Sequence, residues 1–92
     1  MNNQIALASL AMDLRRVALG DHRGSKQMGQ RFFEEALKRK GEIDLTNLKP
    51  YLRILLSQFP TIKNQKDGME IAEDALMYST LFQNAAMKLK SQ

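Results

Sequence analysis

The sequence predicts an all-α protein: a small four-helix bundle of three longer helices plus one short helix, forming a single α-helical domain over residues 1–92. Three observations lead to this prediction. Apolar residues recur at the i, i+3, i+4, i+7 spacing of one helix face, glycines and prolines divide the chain into four segments, and no segment alternates as a strand does. A chain of 92 residues has room for one modest hydrophobic core.

The first helix is predicted over Asn3–Leu19 and carries two apolar stripes. The stripe expected to face the core consists of Leu7, Leu10, Ala11, Leu14, Val17 and Ala18. The second stripe, on another side of the helix, consists of Ile5, Ala8, Met12 and Leu19. Because a small bundle usually buries one face of each helix, we expect the second stripe to contact a partner. Partial coverage by a loop of the same chain is the alternative.

The second helix is predicted over Ser25–Lys40, with Ser25 as its N-cap and Gly41 at the C′ position beyond its end. Its apolar arc consists of Met28, Phe32, Phe33, Ala36 and Leu37. Gly29 lies inside this arc, where a glycine is about 1 kcal/mol less favourable than alanine. We therefore expect another helix to approach closely at Gly29.

The third helix is short, over Pro50–Phe59, and begins at a proline whose missing N–H donor is not needed in a first turn. Apolar residues surround it on nearly all sides: Tyr51, Leu52, Ile54, Leu55, Leu56 and Phe59. This pattern predicts a segment that is buried on most sides.

The fourth helix is predicted over Gly68–Lys90, with Asp67 and Glu70 as an acidic capping pair at its start. Its main seam has the spacing of near-parallel helix packing: Ile71, Ala75, Tyr78, Phe82, Ala85 and Leu89. A neighbouring stripe consists of Met69, Ala72, Leu76 and Met87, of which Met69 and Met87 are expected to pack. Met77 and Leu81 lie one turn apart on the otherwise polar side, where we expect contact with a partner.

The composition excludes several kinds of chemistry. Without cysteine the chain can form no disulfide, thiolate metal site or thiol nucleophile, and a single histidine cannot build a multi-histidine metal centre. No glycine-rich phosphate loop follows a predicted strand. We therefore predict no cofactor, no metal site and no catalytic residue, and expect a non-enzymatic protein.

Positive charge is concentrated in the first part of the chain. Residues 1–40 hold eight Lys/Arg and four Asp/Glu, which equals the net charge of +4 of the whole chain. The alternative function is therefore a regulator that binds nucleic acid through this basic first half. Its candidate contacts are Arg15, Arg16, Arg23, Lys26 and Arg31. On a helical wheel these residues do not converge on one surface, which favours a solvated face of mixed charge.

A third hypothesis rests on Arg16 and His22, which five residues separate. This R-x5-H spacing resembles an element of the HEPN ribonuclease families, which are small α-helical proteins that dimerise. The resemblance covers seven residues and implies RNA cleavage by this pair. Here Val17 stands where a polar residue usually follows the arginine, and His22 is predicted in the loop after the first helix.

The function that these features favour is protein–protein interaction by a cytoplasmic helical module that forms a homodimer. The candidate interface residues are Ile5, Met12, Leu19, Met77 and Leu81. The fourth helix would be roughly 34 Å long, so the short third helix cannot cover its seam alone; the first helix, the second helix or a second copy of the chain must do so. We expect a cytoplasmic location without membrane contact, because the first residues lack the basic region of a signal peptide and no apolar run reaches about 18 residues.

Overall fold

The computed structural model describes residues 2–22, 25–65 and 67–90. Its four α-helices are α1 (Asn3–His22), α2 (Lys26–Gly41), α3 (Pro50–Gln58) and α4 (Gly68–Lys90). Two 3-10 turns lie between them, Leu45–Asn47 before α3 and Phe59–Asn64 after it. The described residues form no strand. The all-α prediction, with three longer helices and one short helix, is confirmed.

Helix α1 is the central element, because it packs along both α4 and α2. Every residue of its predicted core stripe is buried, and Leu7, Leu10 and Leu14 are completely inaccessible. The second 3-10 turn contacts α3 and α4. The second 3-10 turn and α3 therefore lie against α4.

The seam of α4 is buried within the chain. Phe59, from the second 3-10 turn, makes edge-on contacts with the rings of Phe33, Tyr78 and Phe82, at centroid distances of 6.4, 6.4 and 5.9 Å. Phe59 and Phe82 are completely buried. Since α1 and this turn cover the seam, the length of α4 does not by itself require a second copy of the chain.

Small residues allow α1 and α4 to approach closely. Ser79 is buried on α4, and its hydroxyl donates a 2.6 Å hydrogen bond to the backbone carbonyl of Ala11 on α1. The other small residues buried along α4 are Ala72, Ala75, Ala85 and Ala86. The Ser79–Ala11 hydrogen bond fixes the register of α1 and α4, that is, which residues of the two helices lie side by side.

The crossing of α1 and α2 depends on two glycines. Helix α1 continues to His22, three residues beyond its predicted end, so that Gly20 is helical. A Cβ atom added to Gly20 would lie 2.7 Å from the backbone nitrogen of Gly29 and 3.0 Å from its Cα. The close approach predicted at Gly29 is confirmed.

The predicted helix ends are correct in part. Ser25 is the N-cap residue of α2, but its side chain makes no capping hydrogen bond. Gly41 is the last residue of α2 rather than its C′ residue, and Glu42 follows as the C-cap in right-handed helical geometry. At the start of α4, the carboxylate of Asp67 accepts a 2.9 Å hydrogen bond from the backbone N–H of Met69, as a capping residue should.

The prediction that α3 is buried on most sides is wrong. Leu52 and Leu56 are buried, whereas Tyr51 and Ile54 are exposed. A helix of nine residues lying on the outside of the α1–α4 pair has only one face against the core. Apolar residues all around a short segment therefore do not require burial on all sides.

Candidate interaction surface

The second apolar stripe of α1 is exposed. Ile5, Met12 and Leu19 are 47%, 53% and 41% accessible, while Ala8 between them is partly buried against the core. The three residues are seven positions apart, which places them on the same side of α1. No loop in the described part of the chain buries this stripe.

Helix α4 contributes apolar residues beside this stripe. The expectation that Met69 and Met87 pack is wrong, because both are exposed; Leu76 of the same stripe is exposed too, whereas Ala72 is buried. The physical reason is that the elements packed against α4, which are α1, α3 and the second 3-10 turn, leave these three side chains accessible. Met69 and Leu76 are seven positions apart, which places them on the same side of α4.

Two shallow grooves lie between α1 and α4, and their linings include Met12, Leu19, Met69 and Leu76. One groove, of about 600 Å³, has Met12 of α1 and Leu76 of α4 in its lining. The other, of about 350 Å³, has Leu19 of α1 and Met69 of α4, again with Leu76. We call the surface formed by Ile5, Met12, Leu19, Met69 and Leu76 the α1–α4 apolar face.

The polar residues on this face are of both signs. Arg15 of α1 lines both grooves, and Glu73 of α4 lines the groove that also contains Leu19 and Met69. Arg15 and Glu73 are both exposed. The uncharged polar residues Thr80 and Gln83 line the other groove. An apolar stripe flanked by a few polar groups is the usual composition of a protein interface.

Met77 and Leu81, the other two predicted interface residues, are exposed but lie elsewhere. Leu76 and Met77 have nearly equal accessibility, 49% and 48%, yet consecutive residues of a helix point about 100° apart. Neither Met77 nor Leu81 lines the grooves between α1 and α4. The structure thus groups Met12 and Leu19 with Met69 and Leu76, while Ile5 lies on the same side of α1 but lines neither groove.

The described residues of the predicted nucleic-acid set do not share one surface. Arg15 lies on the α1–α4 apolar face, whereas Lys26 lines a separate cavity of about 290 Å³ between α1, α2 and α4. Arg16 lies 3.8 Å from the carboxylate of Asp13. Arg31 is exposed on α2, and Arg23 lies outside the described residues.

The two residues that resemble the HEPN element are both on α1. The predicted loop position of His22 is wrong, because His22 is the last residue of α1; its side chain lies outside the described part of the structure. The guanidinium group of Arg16 lies 5.3 Å from the ring centroid of Phe32, besides its contact with Asp13. These contacts hold Arg16 against the surface of α2.

Asp13 is a buried carboxylate between α1 and α2. Its two oxygens lie 3.8 Å from Arg16 and 3.9 Å from Arg39, and neither contact is a hydrogen bond. Burial raises the pKa of Asp13 above 3.8, although Arg39 and Arg16 lower it; Glu35 and Glu42 raise it further. A raised native pKa means that folding favours the protonated carboxyl, so ionisation of Asp13 destabilises the fold.

Replacing Asp13 with asparagine is therefore expected to raise the free energy of unfolding at pH 7. Asp13 of the parent becomes protonated as the pH falls through its raised native pKa toward 3.8, so its buried charge disappears. The difference in free energy of unfolding between the variant and the parent should therefore shrink over this pH range. Urea unfolding of both proteins between pH 7 and pH 4 measures this difference. A variant less stable than the parent at pH 7 would mean that the contacts with Arg16 and Arg39 outweigh the burial.

Within residues 2–22, 25–65 and 67–90, no three metal-ligating side chains are grouped to hold an ion. In the same part of the chain, no helix combines the length and apolar character of a membrane span. Comparisons with protein-family models, curated proteins and solved structures found no match to this chain. The α1–α4 apolar face is accordingly the feature on which a functional proposal rests.

Proposed function

We propose that this protein is a non-enzymatic helical interaction module that forms a homodimer through its α1–α4 apolar face. The observation that carries the proposal is the position of its exposed apolar side chains. Five large ones lie on one side of the two longest helices, from Ile5 and Met12 to Leu76. The largest exposed apolar patch on a soluble protein is often an interaction site.

The size of the face suits a dimer of modest affinity. Two packed helices of about 20 residues present a face roughly 30 Å long and 20 Å wide, about 600 Å², which is below the ~800 Å² that each partner buries in a standard interface. Burying the accessible half of a leucine or methionine contributes on the order of 1 kcal/mol. Ten such side chains per dimer contribute about 10 kcal/mol, which is of the same order as the association cost of about 4–15 kcal/mol.

A second copy of the chain is the partner that this face fits. A two-fold dimer presents the same face from both sides, so apolar residues meet apolar residues without a separately matched partner. The face also carries charges of both signs, Arg15 and Glu73, which a second copy can match with its own. A small domain gains proportionally more than a large one from added apolar burial.

Two neighbouring substitutions test the proposal. Leu76→Glu places a charge at the centre of the α1–α4 apolar face, whereas Met77→Glu places it at equal exposure on a different side of α4. The dissociation constant of the dimer, measured by sedimentation equilibrium, is expected to rise at least 100-fold for Leu76→Glu, since burying an unpaired charge is strongly unfavourable. It should stay within about threefold of the parent for Met77→Glu, which lies where a surface change has little effect.

Circular dichroism and thermal unfolding show whether each variant is folded. A folded Leu76→Glu monomer beside an intact Met77→Glu dimer supports the proposal. The opposite pattern would move the interface to the side of α4 that carries Met77 and Leu81. A parent chain that stays monomeric would overturn the homodimer altogether.

A further inference from the structure

We infer that, in the dimer, α1 of each copy packs across α4 of its partner, with Arg15 facing the partner's Glu73. This arrangement rests on the proposed function and specifies it further. It follows from the level of each residue along the two helices, the charges on the face and the two-fold symmetry of a homodimer.

Arg15 and Glu73 lie at nearly the same position along the axes of the two helices. Helices α1 and α4 lie side by side, and the hydrogen bond from Ser79 to the carbonyl of Ala11 fixes their relative position. Arg15 of α1 and Glu73 of α4 line the same groove. The two charges therefore lie at nearly the same level on opposite sides of the groove, yet they form no ion pair within the chain.

The two copies of the dimer are related by a two-fold axis. Two such faces can meet around a two-fold axis that runs along the groove, parallel to the helices. This rotation places α1 over the partner's α4 and keeps the position of every residue along the helix axis. Neighbours across the groove then become neighbours across the interface. Leu19 faces the partner's Met69, Met12 faces the partner's Leu76, and each Arg15 faces the partner's Glu73.

The competing arrangement has its two-fold axis across the helices, so that α1 packs on α1 and α4 on α4. Met12 then faces its own counterpart at the centre, and Ile5 faces Leu19 of the other copy. These contacts are also apolar, so apolar burial does not discriminate between the two dimers. The charges do, because Arg15 would face the region of the partner's Ala8 and Ser9 and would have no carboxylate opposite it.

Charge reversal distinguishes the two arrangements. Arg15→Glu and Glu73→Arg each replace two attractive contacts per dimer with two repulsive ones. Each variant alone is expected to dimerise about tenfold more weakly than the parent at low salt. An equimolar mixture of the two variants restores both ion pairs. It is expected to form heterodimers with an affinity within about threefold of the parent.

The chain also supplies controls. The double variant carrying Arg15→Glu and Glu73→Arg should self-associate as the parent does, and the differences among variants should shrink at about 1 M salt because the charges are then screened. Arg31→Glu changes the net charge by the same amount as Arg15→Glu, on an exposed position of α2 that lines neither groove. It should leave the dimer intact.

Native mass spectrometry of the mixture and sedimentation equilibrium of each protein measure these results. Preferential heterodimers support the arrangement. Single variants that weaken the dimer without recovery in the mixture would overturn it, as would single variants without effect. Those two outcomes leave the parent dimer and its sensitivity to Leu76→Glu unchanged. Failure of the proposed function is recognised separately, by a monomeric parent.

Discussion

Replacing Phe59 with alanine is expected to lower the free energy of unfolding by about 3–5 kcal/mol. Phe59 is completely buried, and its ring contacts Phe33, Tyr78 and Phe82. Its removal leaves a cavity where the second 3-10 turn meets α4 and takes away three edge-on aromatic contacts. A small domain has a total stability of only about 5–15 kcal/mol, so the variant should be close to unfolding.

The control for this substitution is Tyr51→Ala. Tyr51 is also aromatic, but it is exposed on α3, so its replacement should change the free energy of unfolding by less than about 1 kcal/mol. Urea unfolding followed by circular dichroism measures both values. Equal losses for the two variants would show that Phe59 does not hold the turn against α4.

Replacing Gly20 with valine is expected to lower the free energy of unfolding by about 3 kcal/mol. The added Cβ would overlap the backbone of Gly29, at 2.7 Å from its nitrogen, and backbone atoms cannot move aside as the end of a flexible side chain can. α1 and α2 would have to separate at their crossing. The branched side chain adds two further methyl groups to the same space.

Gly41→Val is the matched control, because a Cβ at Gly41 would meet no atom within 4 Å. Gly41 is exposed at the end of α2, so this change should leave stability within about 0.5 kcal/mol of the parent. Chemical denaturation of the two variants gives the comparison. If Gly20→Val were as stable as Gly41→Val, the close approach of α1 to Gly29 would not constrain the fold.

The sequence predicts most of this fold because the helical spacing of its apolar residues and the positions of its glycines and prolines mark out the same helices. The core stripe of α1 and the seam of α4 were identified from spacing alone, and both are buried in large part. The position of Gly29 inside an apolar arc correctly indicated a close helix crossing. The identity of its neighbour, Gly20, could not be predicted, since α1 was expected to end at Leu19.

The candidate surface was predicted only in part. Ile5, Met12 and Leu19 were recognised as a second stripe because α1 already had a complete core face. The sequence favours packing for Met69 and leaves Leu76 unassigned, because an apolar residue next to a seam has the same pattern whether a neighbouring helix covers it or not. Which face of α4 remains open depends on where α1, α3 and the second 3-10 turn lie, and helical periodicity carries no information about that.

The central claim is that two copies of this chain associate through the α1–α4 apolar face, and the mass of the parent protein in solution tests it most directly. Sedimentation equilibrium at micromolar concentrations is expected to give twice the chain mass of 10.5 kDa. The apparent mass should fall toward that of one chain on dilution. A mass of 10.5 kDa throughout the micromolar range would contradict the account.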